Sequence, residues 1–232
     1  MSHTRTASQA PLSSHSFRPK DPISALTHLI GFLLAILFTP PLLIRASAMG
    51  CSTERLICMS VFMISMILLY LASTAYHTFD ISPRANRILR KIDHTMIFVL
   101  IAGTYTPYCF IAVGGSKGMT ILVLQWLIAL IGTIITLFWI NVPKALCAAI
   151  YIAMGWVCLI AMPDFVSGLN AGGFFWLLLG GILYTVGGVI YACKLKCLRR
   201  RGFGNHELFH LFVMAGSLCH YVSVAVYMVL LP

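Results

Sequence analysis

Residues 165–193 read "FVSGLNAGGFFWLLLGGILYTVGGVIYAC", 29 residues from Phe165 to Cys193 without one Asp, Glu, Lys or Arg. A helix needs about 20 apolar residues to cross a hydrocarbon core of roughly 30 Å. Six further uncharged runs surround this one, at 22–44, 56–79, 94–116, 118–143, 145–163 and 208–232. None shows a polar face at 3.6-residue spacing, as a helix of a water-soluble bundle would. The fold class expected is therefore an all-α integral membrane protein, a bundle of seven transmembrane helices near 24–45, 56–78, 93–114, 119–140, 144–162, 171–193 and 206–230. The overall composition agrees, with 59% hydrophobic and only 9% charged residues.

Residues 1–22 are polar and rich in Ser and Pro, without the apolar core of a cleavable signal peptide. They read as a disordered cytoplasmic tail, and 23–232 as one seven-helix transmembrane domain. Loops are short. "DISPRANRILRK", 80–91, reads as a turn at Ser82-Pro83 followed by a basic connection. Gly180, Gly181, Gly187 and Gly188 recur at a spacing of seven, placing small residues on one face for close helix packing.

The net charge of +10 is distributed by topology. With the N-terminus cytoplasmic, the inside segments hold Arg5, Arg18, Lys20, Arg84, Arg87, Arg90, Lys91, Lys144, Lys194, Lys196, Arg199, Arg200 and Arg201. Only Arg45, Arg55 and Lys117 remain outside. The positive-inside rule then gives N-in, C-out. The charge points to lipid headgroups and not to nucleic acid as the partner. Eight cysteines are scattered through the helices with no extracellular framework, so disulfides are not expected. Cys193 and Cys197, one turn apart, read as incidental helix residues and not as a metal pair.

Ionisable groups inside a bilayer are costly and mark function. In this topology Ser73 and His77 end the second helix, Asp93 and His94 begin the third, and His206 and His210 begin the seventh, all at one depth. Ser73/His77 and His206/His210 are i,i+4 pairs, so each pair shares a helix face. His77, His206 and His210 make the three-imidazole set of a catalytic zinc site with an open fourth position. Zinc lowers the pKa of its water to about 7. Asp93 is placed to accept that water's proton, and Ser73 to hydrogen-bond a developing oxyanion. His220 lies 10 residues past His210, about 15 Å deeper, too far to share the metal. His28, His94 and His220 are expected around the site or in structural roles.

His206-Glu207-Leu208-Phe209-His210 also spells H-E-x-x-H, the zinc-protease signature. The chain contains no Asp or Glu after Glu207 to complete such a site. The metzincin positions for Gly and His hold Val213 and Gly216. Glu207 is explained by the helix dipole after an Asn205 N-cap. The motif reduces to H-x-x-x-H.

"LASTAYH" (71–77), "KIDH" (91–94), "IAGTYTPY" (101–108) and "NHELFHLFVMAGSLCHY" (205–221) closely resemble the haemolysin III family, the bacterial branch of the progestin and adipoQ receptor superfamily that includes the adiponectin receptors. The resemblance runs from about residue 22 onward. It implies zinc on His77, His206 and His210, Asp93 beside the zinc-bound water, Ser73 nearby, and a lipid-accessible cavity. Asp21, Ser24 and His28 stand where bacterial relatives show E-x-x-N-x-x-x-H, so His28 fits while no role carries over to the acid and amide positions. The function expected is a zinc-dependent, ceramidase-like hydrolase of a lipid amide or ester, multi-pass in the bacterial inner membrane and active in membrane lipid homeostasis. Two alternatives stand beside it: a non-enzymatic lipid or membrane-state sensor or receptor with a structural zinc, and a cytolytic channel. The channel predicts a polar pore, whereas the polar residues cluster at one end.

Overall fold

A computed structural model describes residues 18–139, 143–193 and 203–231. Residues 1–17 of the expected tail lie outside them, as does Cys197. The described chain is helical throughout its length: α1 (Pro22–Ala48), α2 (Thr53–Thr78), α3 (Pro83–Pro107), α4 (Gly115–Phe138), α5 (Lys144–Gly155), α6 (Met162–Gly168), α7 (Ala171–Cys193) and α8 (Asn205–Val222). α3 is continued by a π-helical turn, Tyr108–Val113, and α8 by irregular turns to Leu230. α5 and α6 form one span, so seven helical segments are long and apolar enough to cross a membrane.

Three of the spans are inner helices. The spans of α2, α3 and α8 are 50%, 61% and 56% buried, against 22% for each of the other four. Met59, Phe62, Met63, Tyr70, Tyr108 and Met228 fill the space between them. The outer helices turn Leu37, Ile44, Leu130, Ile131 and Ile160 outward, which is the surface a lipid-facing helix presents. Every helix that carries an expected metal ligand is thus an inner one.

Two expected boundaries are corrected. α3 begins at Pro83, ten residues before the expected start. Ser82 accepts a hydrogen bond from the Ala85 N–H and Pro83 occupies the first turn. A capped start with Pro in place nucleates a helix even where the residues are basic. The fifth span runs on to Gly168 but is broken by a 3-10 segment, Trp156–Ala161. Tyr105 of α3 repairs the break: its hydroxyl donates to the Gly155 carbonyl at 2.7 Å and accepts from the Cys158 N–H at 2.8 Å. Non-helical backbone at membrane depth requires this kind of internal partner.

The glycines of α7 do not share one face. Gly180 and Gly187 meet His220 and Phe212 of α8, Gly188 meets Ile152 of α5, and Gly181 has open space beside it. Adjacent residues lie about 100° apart on a helix, which separates the members of each pair. Two other glycines accommodate the π-helical turn. An added Cβ on Gly168 would stand 1.9 Å from the Ala112 carbonyl oxygen, and one on Gly118 2.2 Å from that of Cys109. Because backbone cannot step aside as a side chain can, Gly168→Ala is expected to destabilise the fold by about 1–3 kcal/mol. Thermal unfolding in detergent would show this as a lowered midpoint, while Gly181→Ala, with nothing within 4 Å, should change little.

Candidate metal centre

The segment entering α1 caps the end of α2. The last carbonyls of a helix lack partners within it. Here the Asp21 N–H donates to the His77 carbonyl at 2.9 Å, the Lys20 N–H to Thr78 at 3.2 Å, and the Lys20 ammonium to Tyr76 at 2.6 Å. This fixes the chain at residues 20–21 against the turn that carries His77. Asp21 then reaches back with its side chain, and its Oδ2 lies 2.9 Å from His77 Nδ1.

His77, His206 and His210 converge, with their candidate ligand atoms all within 4.8 Å of one another. His77 Nε2 and His206 Nε2 are 3.0 Å apart, and the rings of His206 and His210 stand 4.4 Å apart between centroids. A tetrahedral zinc with Zn–N of 2.0–2.1 Å separates its nitrogens by about 3.4 Å, within the range these atoms span. Among the described residues no other group of His, Cys, Asp and Glu draws together in this way.

The surrounding acceptors set the tautomers. Asp21 accepts a hydrogen bond from the Nδ1–H of His77, the tautomer that leaves the Nε2 lone pair free for a metal. Thr27 donates its hydroxyl proton to the Ser24 carbonyl at 3.0 Å, so its oxygen accepts from His210 Nδ1 at 3.3 Å. A carboxylate or hydroxyl behind a ligating imidazole orients the ring and raises its basicity. The residues present therefore suit a borderline-soft cation that favours imidazole nitrogen. Asp21→Asn is expected to weaken zinc binding by about 10–100-fold, read by competition with a chromogenic chelator. An unchanged affinity would remove Asp21 from the site.

Glu207 is held away from this chemistry. One carboxylate oxygen accepts from the Gly204 N–H at 2.8 Å, the other from the Ser24 hydroxyl at 2.9 Å. Gly204 is the N-cap in place of Asn205, which is the first residue of α8. Glu207, at the third position of α8, thus makes the half of a capping box that its own side chain supplies, since Gly204 has no side chain to return the bond, and ties α8 to α1.

A cavity of about 150 Å³ opens beside His206 and His210, between α3, α5, α7 and α8. Its polar lining includes His28, Ser73, Asp93, His206, His210 and, at the far end, His220. Leu100, Ile101, Phe174, Leu177 and Val213 supply apolar wall. The Ser73 hydroxyl is buried and has no hydrogen-bond partner, and neither ring nitrogen of His28 has one. Such orphaned groups are rare in the interior of a protein. His28 stacks on His210 at 3.6 Å between ring centroids, with planes 6° apart, so α1 adds a fourth imidazole to the wall without joining the ligand group.

Asp93 is buried, with Oδ2 3.4 Å from His94 Nδ1, while that nitrogen lies closer to the Arg90 carbonyl at 2.8 Å. His220 Nδ1 stands 3.4 Å from the Tyr108 hydroxyl and outside the ligand group. The structure brings the expected Ser73, His77, Asp93, His206 and His210 to one end of the bundle. Sequence reasoning missed Asp21 and Thr27. For Asp21 the signals were an acid directly before the Pro that opens the first apolar helix and its place at the acid position of the family's entry pattern, from which no role carries over.

Fold and site together define a multi-pass membrane protein whose inner helices carry a three-histidine cluster that could hold a metal ion, next to a largely apolar cavity. The family profile described as haemolysin-III related matches residues 17–221. The chain belongs to the haemolysin III family. It is 38% identical over 209 residues to the hemolysin-3 homolog of Bacillus subtilis, covering 90% of this chain and 94% of that protein. It is 36% identical over 204 residues to hemolysin-3 of Bacillus cereus, covering 88% and 90%. At greater distance it is 25% identical over 220 residues to the adiponectin receptor protein of Drosophila melanogaster, covering 86% of this chain and 48% of that one.

Proposed function

We propose that this chain is a zinc-dependent hydrolase of a lipid amide or ester, seated N-in, C-out in a bacterial inner membrane and acting in membrane lipid homeostasis. One observation carries the reading. Two of the three clustered imidazoles, His206 and His210, line a largely apolar cavity whose polar groups include Asp93 and two, Ser73 and His28, that have no hydrogen-bond partner. A purely structural zinc is closed by four protein ligands, whereas three ligands beside unused donors and acceptors leave room for a reacting group.

A zinc ion held by His77, His206 and His210 would supply a Lewis acid and a water of near-neutral pKa. Asp93 takes up the proton that the attacking water loses and returns it to the leaving amine or alcohol. Ser73 donates its hydroxyl to the carbonyl oxygen as negative charge grows there, a bond it makes with nothing in the resting protein. His28, pinned flat against His210, holds that ligand's ring plane and offers a nitrogen to the substrate. The apolar walls take the acyl chain and exclude water. A sensor in which zinc staples helices together draws support from Asp21, Thr27 and Glu207, which tie α1 to α2 and α8. Turnover separates the two: reconstituted protein is offered fluorescent lipid amides and esters before and after zinc removal and restoration. Zinc-dependent release of fatty acid supports the hydrolase. A zinc-loaded protein inert toward all of them would leave the sensor.

A further inference from the structure

Below Asp93, α3 carries Arg87, Arg90, Lys91 and His94 at i, i+3, i+4 and i+7, one helical face. These four, with Lys20 and the ring of Trp139, line a second, more open cleft at the same end of the bundle. Arg90 and His94 line both this cleft and the metal cavity, so the two spaces share a wall. The cleft is strongly cationic, and its carboxylate neighbours are two, Asp21 at 4.0 Å from Lys20 and Asp93 at 3.4 Å from His94. Asp21 is engaged by His77, Asp80 by Asn86 and Asp93 stands against His94, and among the described residues no carboxylate pairs with Arg87 or Arg90. Lys20 is fixed over the Tyr76 ring at 3.5 Å, and Lys91 donates to the Leu137 carbonyl, so two of the cations are already held in position.

We propose that this cleft binds the phosphate of an anionic lipid whose acyl chain lies in the metal cavity. Two guanidiniums one turn apart suit the oxygens of a phosphate, which Arg engages through paired N–H donors. Trp139 sits where an indole anchors at a headgroup boundary. Delocalised attraction to the bilayer surface would need no cleft and would use every basic residue alike. A walled cleft adjoining the metal centre selects instead among lipids by headgroup. This deepens the hydrolase reading by making the substrate a phosphate-bearing lipid, and it rests on that reading for the chain's placement.

The test reads binding and needs no turnover, so a catalytically inert protein still reports on the cleft. Purified full-length protein in neutral maltoside detergent is titrated with dioctanoyl phosphatidic acid and with dioctanoyl phosphatidylcholine, and bound lipid is counted by native mass spectrometry. Phosphatidic acid is expected to bind at least about tenfold more tightly. Arg87→Gln and Arg90→Gln should each lower that affinity, together by about tenfold, while Arg84→Gln, which removes one such charge a turn outside the cleft, stays within about twofold. The preference should persist in His210→Ala. Equal affinity for the two lipids, or an equal loss in Arg84→Gln, overturns the proposal. Competition by glycerol 3-phosphate as effective as the lipid's own binding would make the cleft a soluble-phosphate site and overturn it as well.

Discussion

An Asp93→Asn protein is expected to keep its zinc and lose about 10²- to 10⁴-fold of its lipid turnover, the contribution a positioned general base commonly makes. Asparagine preserves the shape and the capacity to accept a hydrogen bond but has no site for the proton. Asp93 lies outside the ligand group, so metal content separates a lost base from a lost site. The pH profile adds a second reading: the limb on which turnover rises with pH should vanish if the group being ionised is this carboxylate. Full turnover in Asp93→Asn would move the base elsewhere in the cavity, where His28 is the next candidate with free nitrogen.

His77→Ala, His206→Ala and His210→Ala should each lower zinc affinity by about a hundred- to a thousandfold. Four-ligand zinc sites are worth about 10–16 kcal/mol, roughly 2.5–4 kcal/mol for each ligand. Metal analysis after equilibration with a weak chelator reads the effect directly. His220→Ala is the control, since His220 lines the cavity but belongs to no ligand group; its zinc content should match the native protein. A native protein that emerges metal-free from purification and takes up no zinc on addition ends the metal hypothesis.

Much of this arrangement is readable before any coordinates. Uncharged runs of membrane-spanning length place the helices because no alternative satisfies their backbone in lipid. The i,i+4 spacing of His206 and His210, together with depth, brings three imidazoles to one level. What escapes is whatever depends on how separate segments meet. The basic start of α3 carries no apolar pattern, and its helix rests on the Ser82 cap. The break at Trp156 survives because the Tyr105 hydroxyl, fifty residues away, bridges it. The glycine faces of α7 are decided by which neighbour each one touches. Asp21 is the most instructive miss. At the head of the first helix it looks like an N-cap, yet its side chain makes no cap hydrogen bond and goes to His77.

That pairing bears on how the protein is made. His77 and Asp21 are 56 residues apart, whereas His77 and His206 are separated by 129. At a synthesis rate of about 5–20 residues per second, His206 leaves the ribosome roughly 6 to 26 s after His77. The three-histidine cluster is therefore complete only once α8 has entered the bilayer. During that interval an imidazole already inside the membrane has its carboxylate partner from the first helix. Asp21 would serve the nascent chain as a placeholder, keeping His77 oriented until α8 arrives, and metal loading would then act as a checkpoint that only a chain with α8 correctly inserted can pass.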